Sequence, residues 1–420
     1  MAKKKTSKAE KYIKKEAKKQ AKKHPLVAIS IVAVVAIAIG VGGYLLYKNG
    51  LISFPKVSSD SNSSNDISSS KEVSSEYESN DSNSSTEADS NSGNSDFDQI
   101  SFYFISAGTS SDSLYNGDSI YIKAGDNDIL IDAGPKANAA TRIKNVINQH
   151  CTDNKLEYVV ATHAHADHLP AFYGTSDAKG VFESYDIGTI IDFPRTDSTT
   201  QTYSNYVSAR DGAVKRGATH YTALECWNGT NGAQKTYDLG KGLTMNVLYQ
   251  NYYENKASTE NDYSVCLLFK QGDKKMLFTG DLEEDGIPSL WNKNDIGTVD
   301  LYKGGHHGSI NANPDSLLSK IQPKTICTCC VAGSTEYTKN LDNTMPYQDT
   351  LNIWSKYTDD VYLTNWAAST AANTGGELNG TIAVKYDENG NKTITGSNNS
   401  LKLKDTDWMK NNRTMPTNWK

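Results

Sequence analysis

The chain has 420 residues, 37% of them apolar and 22% charged, with a formal net charge of −6 at pH 7. That balance excludes a uniformly basic nucleic-acid coat. The deficit of apolar residues is gathered near the N-terminus, which leaves enough chain downstream for a large buried core.

Residues 1–24 carry eleven lysines against Glu10 and Glu16. Residues 25–47, PLVAISIVAVVAIAIGVGGYLLY, carry no charge. A helix of about twenty apolar residues spans the hydrocarbon core of a bilayer. The run is longer than the apolar stretch of a secretory signal and ends in an aromatic flank, so it predicts an uncleaved transmembrane anchor. The lysine block then keeps the N-terminus in the cytoplasm as a basic tail and puts everything after Lys48 outside. Residues 48–98 are rich in Ser, Asn and Asp without apolar periodicity, which predicts a disordered, acidic linker. Residues 99–400 read as the folded domain and 401–420 as a C-terminal tail.

Within that domain, short strands are expected over 100–105, 119–122 and 128–131, then a helix over 137–150. An apolar strand over 156–161 runs into a histidine cluster. Strands follow at 189–193, 243–248, 264–269, 275–279, 299–303, 324–331, 361–364 and 380–386. Helices are expected at 202–217, 285–291, 315–321 and 348–356. Strands and helices in this mixed order predict an α/β domain of sheets covered by helices. All six cysteines lie downstream of the anchor. Cys327, Cys329 and Cys330 sit in one apolar run whose spacing is wrong for a zinc knuckle; the reading is buried small hydrophobes, with a disulfide as the alternative.

The chemistry falls at strand ends. After the strand at 156–161 comes Thr162-His163-Ala164-His165-Ala166-Asp167-His168. His163 and His165, two residues apart, can face one ion from an extended segment, and Asp167 and His168 can reach a second. A second apolar strand ends in Thr279-Gly280-Asp281, where a glycine lets the chain turn and an aspartate can bridge two cations. A third leads through Lys303 to Gly304-Gly305-His306-His307-Gly308-Ser309. Imidazole and carboxylate ligands suit zinc, manganese or iron.

With these motifs in this order the chain resembles the metallo-β-lactamase superfamily, and within it the extracellular metallo-hydrolase domain of the ComEC-type DNA-uptake (competence) proteins. Leu130-Ile131-Asp132-Ala133-Gly134, Asn261-Asp262-Tyr263-Ser264, Gln322-Pro323-Lys324 and the three strand ends carry the likeness, which runs from about residue 100 to 387. It implies an αβ/βα four-layer sandwich with the site at one edge of two sheets. It also implies two divalent ions, zinc before manganese, held by His163, His165, Asp167, His168, Asp281 and His306, with Asp281 between them and His306 preferred to His307. An activated hydroxide would attack the substrate. Asp167, His307 and Lys303 are the candidate catalytic residues, and Lys303, Ser309 and Ser264 the candidate substrate contacts, the two serines alternatively orienting ligands or forming turns. Asp132 is placed to hydrogen-bond a ligand histidine or to cap its turn. His220, the one candidate for the superfamily's middle histidine, reads as an ordinary strand residue.

The function implied is that of a membrane-anchored extracellular phosphodiesterase or nuclease of a Gram-positive-like bacterium, single-pass and without a nucleotide cofactor, acting on DNA or a phosphodiester wall polymer. Hydrolysis of a carbonyl substrate (lactam, lactone or thioester) and a non-catalytic wall-binding module are the alternatives.

Overall fold

The computed structural model describes residues 97–110, 113–338, 340, 343–367 and 375–420. The basic tail, the predicted membrane span and the linker as far as residue 96 lie outside the described residues. Among the described residues no helix is long and apolar enough to cross a membrane.

In chain order the strands are β1 (Ile100–Phe104), β2 (Thr109–Ser110), β3 (Ser113–Leu114), β4 (Ile120–Ala124), β5 (Asn127–Ile131), β6 (Lys155–Val160), β7 (Asp186–Asp192), β8 (Thr219–Thr222) and β9 (Thr236–Asp238). They continue with β10 (Leu243–Leu248), β11 (Cys266–Gln271), β12 (Lys274–Phe278), β13 (Leu301–Lys303), β14 (Ile326–Ala332), β15 (Val361–Ala367), β16 (Gly375–Glu377), β17 (Ile382–Tyr386) and β18 (Lys392–Gly396). Sixteen of them form two eight-stranded sheets, ordered β18-β17-β1-β4-β5-β6-β7-β8 and β16-β15-β14-β13-β12-β11-β10-β9. Each sheet has an antiparallel arm that gives way to parallel pairing, from β5 to β8 in the first and from β12 to β15 in the second.

The alternation of side chains shows how the layers stack. On the second sheet Met276, Phe278, Leu267, Phe269, Cys327 and Cys329 belong to the core shared with the first sheet. Their neighbours Leu277, Cys266, Leu268, Ile326 and Cys330 turn the other way and pack with Leu290, Leu317, Leu318 and Trp354 from the helices. Phe102 of β1 meets Phe269 and Phe278 across the gap, with ring centroids 5.7 and 5.5 Å apart. On the first sheet the helix Ala140–Ile147 buries Ala140, Ile143 and Ile147, spaced for one helical face. The result is the two-sheet α/β architecture expected. All six cysteines are free and five are buried, so the apolar reading of Cys327 and Cys329 on one face holds.

Residues 401–420 are not a tail. They form short helices at Leu403–Asp405, Asp407–Asn412 and Thr417–Trp419, with Leu403, Trp408, Met409 and Trp419 buried in the second core. Each such apolar side chain contributes about 1.5–3 kcal/mol when fully buried, which outweighs the polar composition that suggested a tail. The linker likewise stops short of residue 98. The Asp98 N–H donates to the Lys241 carbonyl at 2.9 Å.

Candidate metal centre

The site forms where the parallel strands of both sheets end. Beyond β6 the chain enters the HxHxDH turn, whose backbone is pinned from two sides. The Asp118 N–H donates to the Asp167 carbonyl (3.1 Å) and the Ala133 N–H to the His168 carbonyl (2.7 Å). A Cβ at Gly134 would sit 1.6 Å from the Asp167 oxygen, so only glycine admits this approach. Gly280 is also obligatory. Its φ is +55°, and a Cβ would meet Ser264 and Thr162 at 2.9–3.0 Å. This turn carries Asp281 into the cluster. His306 and His307 both adopt left-handed backbone (φ 44° and 53°), a costly pair for non-glycine residues that the surrounding packing holds in place.

Four imidazoles face one carboxylate oxygen. The Nε2 atoms of His168, His307, His306 and His163 lie 3.1, 3.6, 3.8 and 3.9 Å from Asp281 Oδ2. His165 Nδ1 is 3.1 Å from His163 Nε2, and Asp167 Oδ2 is 3.2 Å from His307 Nε2. Each Nδ1 on the far side of these four rings has its own anchor. His168 Nδ1 donates to Asp132 (2.7 Å) and His307 Nδ1 to the Cys329 carbonyl (2.8 Å). His306 Nδ1 faces Glu283 (3.3 Å), and His163 Nδ1 lies 3.1 Å from the Thr162 hydroxyl. Anchored Nδ1 with Nε2 turned inward is how ligand histidines are held for a metal. Asp132, itself at φ 56°, also accepts from the Thr162 N–H (2.8 Å) and hydroxyl (2.7 Å), so it positions His168 rather than merely capping a turn.

The electrostatics fit a cation site. Burial disfavours charge on His168, yet the carboxylates of Asp281, Asp132 and Asp167 outweigh it and raise the imidazole's pKa well above its usual value. Burial likewise opposes charge on His307, and Asp118 and Asp281 push its pKa up to about 10. Burial tends to raise the Asp281 pKa, but His168 and Lys303 hold it well below the carboxylate range. Protons therefore occupy positions that suit divalent cations. The ligand atoms of Asp167, His168, Asp281 and His307 all lie within 4.8 Å of one another. His163 and His165 belong to no cluster of three or more ligand groups that tight among the described residues, although His163 borders Asp281.

Three expectations change. His307, not His306, groups with Asp167, His168 and Asp281. Lys303 does not line the open cleft. It is buried, and its ammonium holds Asp118, Asp281 Oδ1 (3.2 Å) and the Gly280 carbonyl (2.9 Å). It lies on a strand whose alternation points it inward. Ser264 is buried too; its hydroxyl accepts the Asp281 N–H at 3.0 Å and so supports the bridging position. Ser309 lines the open cleft above the cluster together with His165, Asp167 and His306. His220 is on β8 with its Nε2 on Asp192 at 2.8 Å, as an ordinary strand residue. Sequence reading assigned no role to Asp118, Glu283 or Tyr337. Asp118 stands in a Gly-Asp-Ser step just before β4, Glu283 follows the Gly280-Asp281 step by two residues, and the Tyr337 hydroxyl, 2.9 Å from Asp167, arrives on a loop with no signal.

The model of the metallo-beta-lactamase superfamily matches residues 113–174, which run through the HxHxDH turn. Over those residues the chain is similar to the metallo-beta-lactamase superfamily. The donor set gathered here is of the kind that suits divalent cations. Over 129 residues, 31% of the chain, it is 28% identical to ComE operon protein 3 of Bacillus subtilis (strain 168), and that stretch spans 14% of the relative's length. Among solved structures it is similar to the metallo-beta-lactamase fold protein YhfI from Bacillus subtilis, at 12% identity and a TM-score of 0.37 over 64% of this chain and 97% of that one. It is also similar to CmlA, a diiron beta-hydroxylase from Streptomyces venezuelae, at 12% identity and a TM-score of 0.35 over 64% and 53%. A diphosphatase from the PhnP family aligns at 10% identity and a TM-score of 0.35 over 69% and 97%.

Proposed function

We propose that the protein is a phosphodiesterase held at the cell membrane through residues 25–47, with its metallo-beta-lactamase domain outside the cell. Its substrate is DNA or a phosphodiester wall polymer. The observation that carries the reading is the set of anchored imidazoles around Asp281 Oδ2 beneath an open cleft. The HHGS turn and the Asn261–Ser264 motif support a phosphodiester rather than a carbonyl substrate, as does the engagement of His220 with Asp192.

Asp167, His168 and His307 would hold one cation and His163 and His165 the other, with Asp281 between. His306 is built like the other ligand histidines, with Nδ1 on Glu283 and Nε2 toward Asp281, so we assign it to the ion of His163 and His165. Imidazole and carboxylate donors suit zinc first and manganese second. Bound there, two divalent ions supply a hydroxide nucleophile at neutral pH and stabilise charge on the reacting phosphoryl oxygens. The chain's own residues keep that arrangement rigid. Lys303, itself paired with Asp118, holds Asp281 Oδ1 so that Oδ2 faces the cluster, Asp132 fixes the His168 tautomer, and the Cys329 carbonyl fixes that of His307. Ser309, at the cleft wall, is placed to touch substrate oxygens.

The test is metal content of the purified chain together with turnover of bis-p-nitrophenyl phosphate, single-stranded DNA and nitrocefin. Two ions per chain and phosphodiester turnover support the reading. Nitrocefin turnover without phosphodiester turnover would replace it with the carbonyl alternative. His306→Ala and His307→Ala should each lose one ion, and loss of none in His306→Ala would return that residue to the cleft wall.

A further inference from the structure

With Lys303 sealed inside the fold, any side-chain cation that meets the substrate beyond the metal centre has to come from elsewhere. The cleft over the metal centre has a volume of about 510 Å³. Among the described residues lining it, Lys136 is the one lysine or arginine; the acidic groups there are Asp167 and Glu336. Lys136 is exposed and follows directly on Gly134-Pro135, the turn seated on the Asp167 carbonyl. Its backbone position is therefore tied to the metal centre. Among the described residues no carboxylate oxygen lies within ion-pair distance of its ammonium. The ammonium instead rests 3.9 Å from the centroid of the Tyr115 ring. A ring face attracts a cation without using up its N–H donors, so the charge is steadied and still free to take an anion. Glu336 is held back, its carboxylate accepting the Asn116 N–H at 2.8 Å.

We propose that Lys136 anchors a second anionic group of the substrate, so that the cleft selects a polyanionic phosphodiester chain over an isolated diester. This rests on the phosphodiesterase reading and adds to it the substrate's charge pattern. One phosphate would lie over the metal centre and its neighbour at the Lys136 ammonium. The acidic cleft wall makes this cation count, because among the described residues lining the cleft it is the one lysine or arginine that offsets repulsion of the neighbouring phosphate. Lys136 is thus a specificity-determining residue, with no part in the bond-breaking step.

The experiment compares the metal-loaded full chain with its Lys136→Ala and Lys136→Arg variants. The probes are bis-p-nitrophenyl phosphate, which carries one charge, and a tetrathymidylate, which carries several. Lys136→Ala should raise KM for the tetrathymidylate by about tenfold, the effect of one lost phosphate contact, and leave its kcat unchanged. KM and kcat for bis-p-nitrophenyl phosphate should stay within about twofold. The salt dependence of tetrathymidylate binding, read by anisotropy of a labelled strand, should lose about 0.7 from its log–log slope. Lys136→Arg should restore both. Equal effects on the two probes, or none on either, would overturn the proposal. If no phosphodiester is turned over, the phosphodiesterase reading fails, and the binding arm still decides the role of Lys136.

Discussion

The parallel and antiparallel arms of the two sheets are built from the same kind of strand, yet the histidines and aspartates that cluster around Asp281 leave the parallel arms. In the antiparallel arms, hairpins close through tight turns such as Gly125 and Gly272, each with positive φ, and these two turns supply no group to the cluster around Asp281. In the parallel arms β5, β6, β12 and β13 run alike within their sheets, so Asp132, the HxHxDH turn, Asp281 and His306-His307 leave the ends of adjacent strands. Parallel pairing puts successive strand ends on one edge, which gathers residues far apart in sequence. Antiparallel pairing sends alternate ends to opposite edges. Direction of pairing, more than composition, decides where this molecule can hold a cation.

The contrast is broken most severely at Asp281. Asp281→Ala removes the one oxygen within 4 Å of four imidazoles and should cost both ions and about 10³-fold or more in turnover, read by metal analysis and kinetics. Retention of two ions would show that the histidines suffice without a bridge. One layer out, Asp132→Asn keeps the shape but weakens the hold on His168, and metal affinity should fall about 10–100-fold, measured by chelator competition.

Proton linkage gives a smaller signal. In the metal-free protein the His307 pKa stands at about 10, above its unfolded value, so its contribution to stability is complete below about pH 6.5 and is lost as pH rises through about 10. A cation must displace that proton, so metal affinity should climb with pH between those limits. Titration at pH 8 in buffers of different ionisation enthalpy should show release of about one proton or more per ion bound. Absence of release would mean that the cluster is already neutral.

The smallest effect on activity lies in the antiparallel arm. Gly272 has φ 56°, and a Cβ there would stand 2.5 Å from the Phe97 ring. Gly272→Ala should lower stability by about 1–2 kcal/mol in thermal melting and leave metal content unchanged. Loss of metal in that variant would show that the two arms are coupled.

Much of the frame was legible in the residues. The strand Leu243–Leu248 and the helix Asp315–Ile321 match their expected bounds because each pairs a clear apolar period with turn residues at its ends. The edge strands β9, β16 and β18 were not found. They are short, polar and half exposed, and pair with neighbours supplied only by the fold. The helix expected over 137–150 shortens to Ala140–Ile147 behind a 3-10 turn at Ala137–Ala139. The placement of Lys303 differs from expectation because a strand's inward and outward faces cannot be told apart from a motif alone, while Ser264 takes the ligand-orienting alternative. Lys303 is polar, yet it faces a buried pair of aspartates that pay for its desolvation.

The order of motifs along the chain by itself determined the class of chemistry, since histidines and aspartates at strand ends are costly unless they serve a ligand. The tertiary structure alone decided which histidine joins Asp167, which lysine meets solvent and which carboxylates stand behind the ligands. Those answers depend on distances between loops separated by more than a hundred residues, such as Asp167 and His307, and no local pattern encodes them.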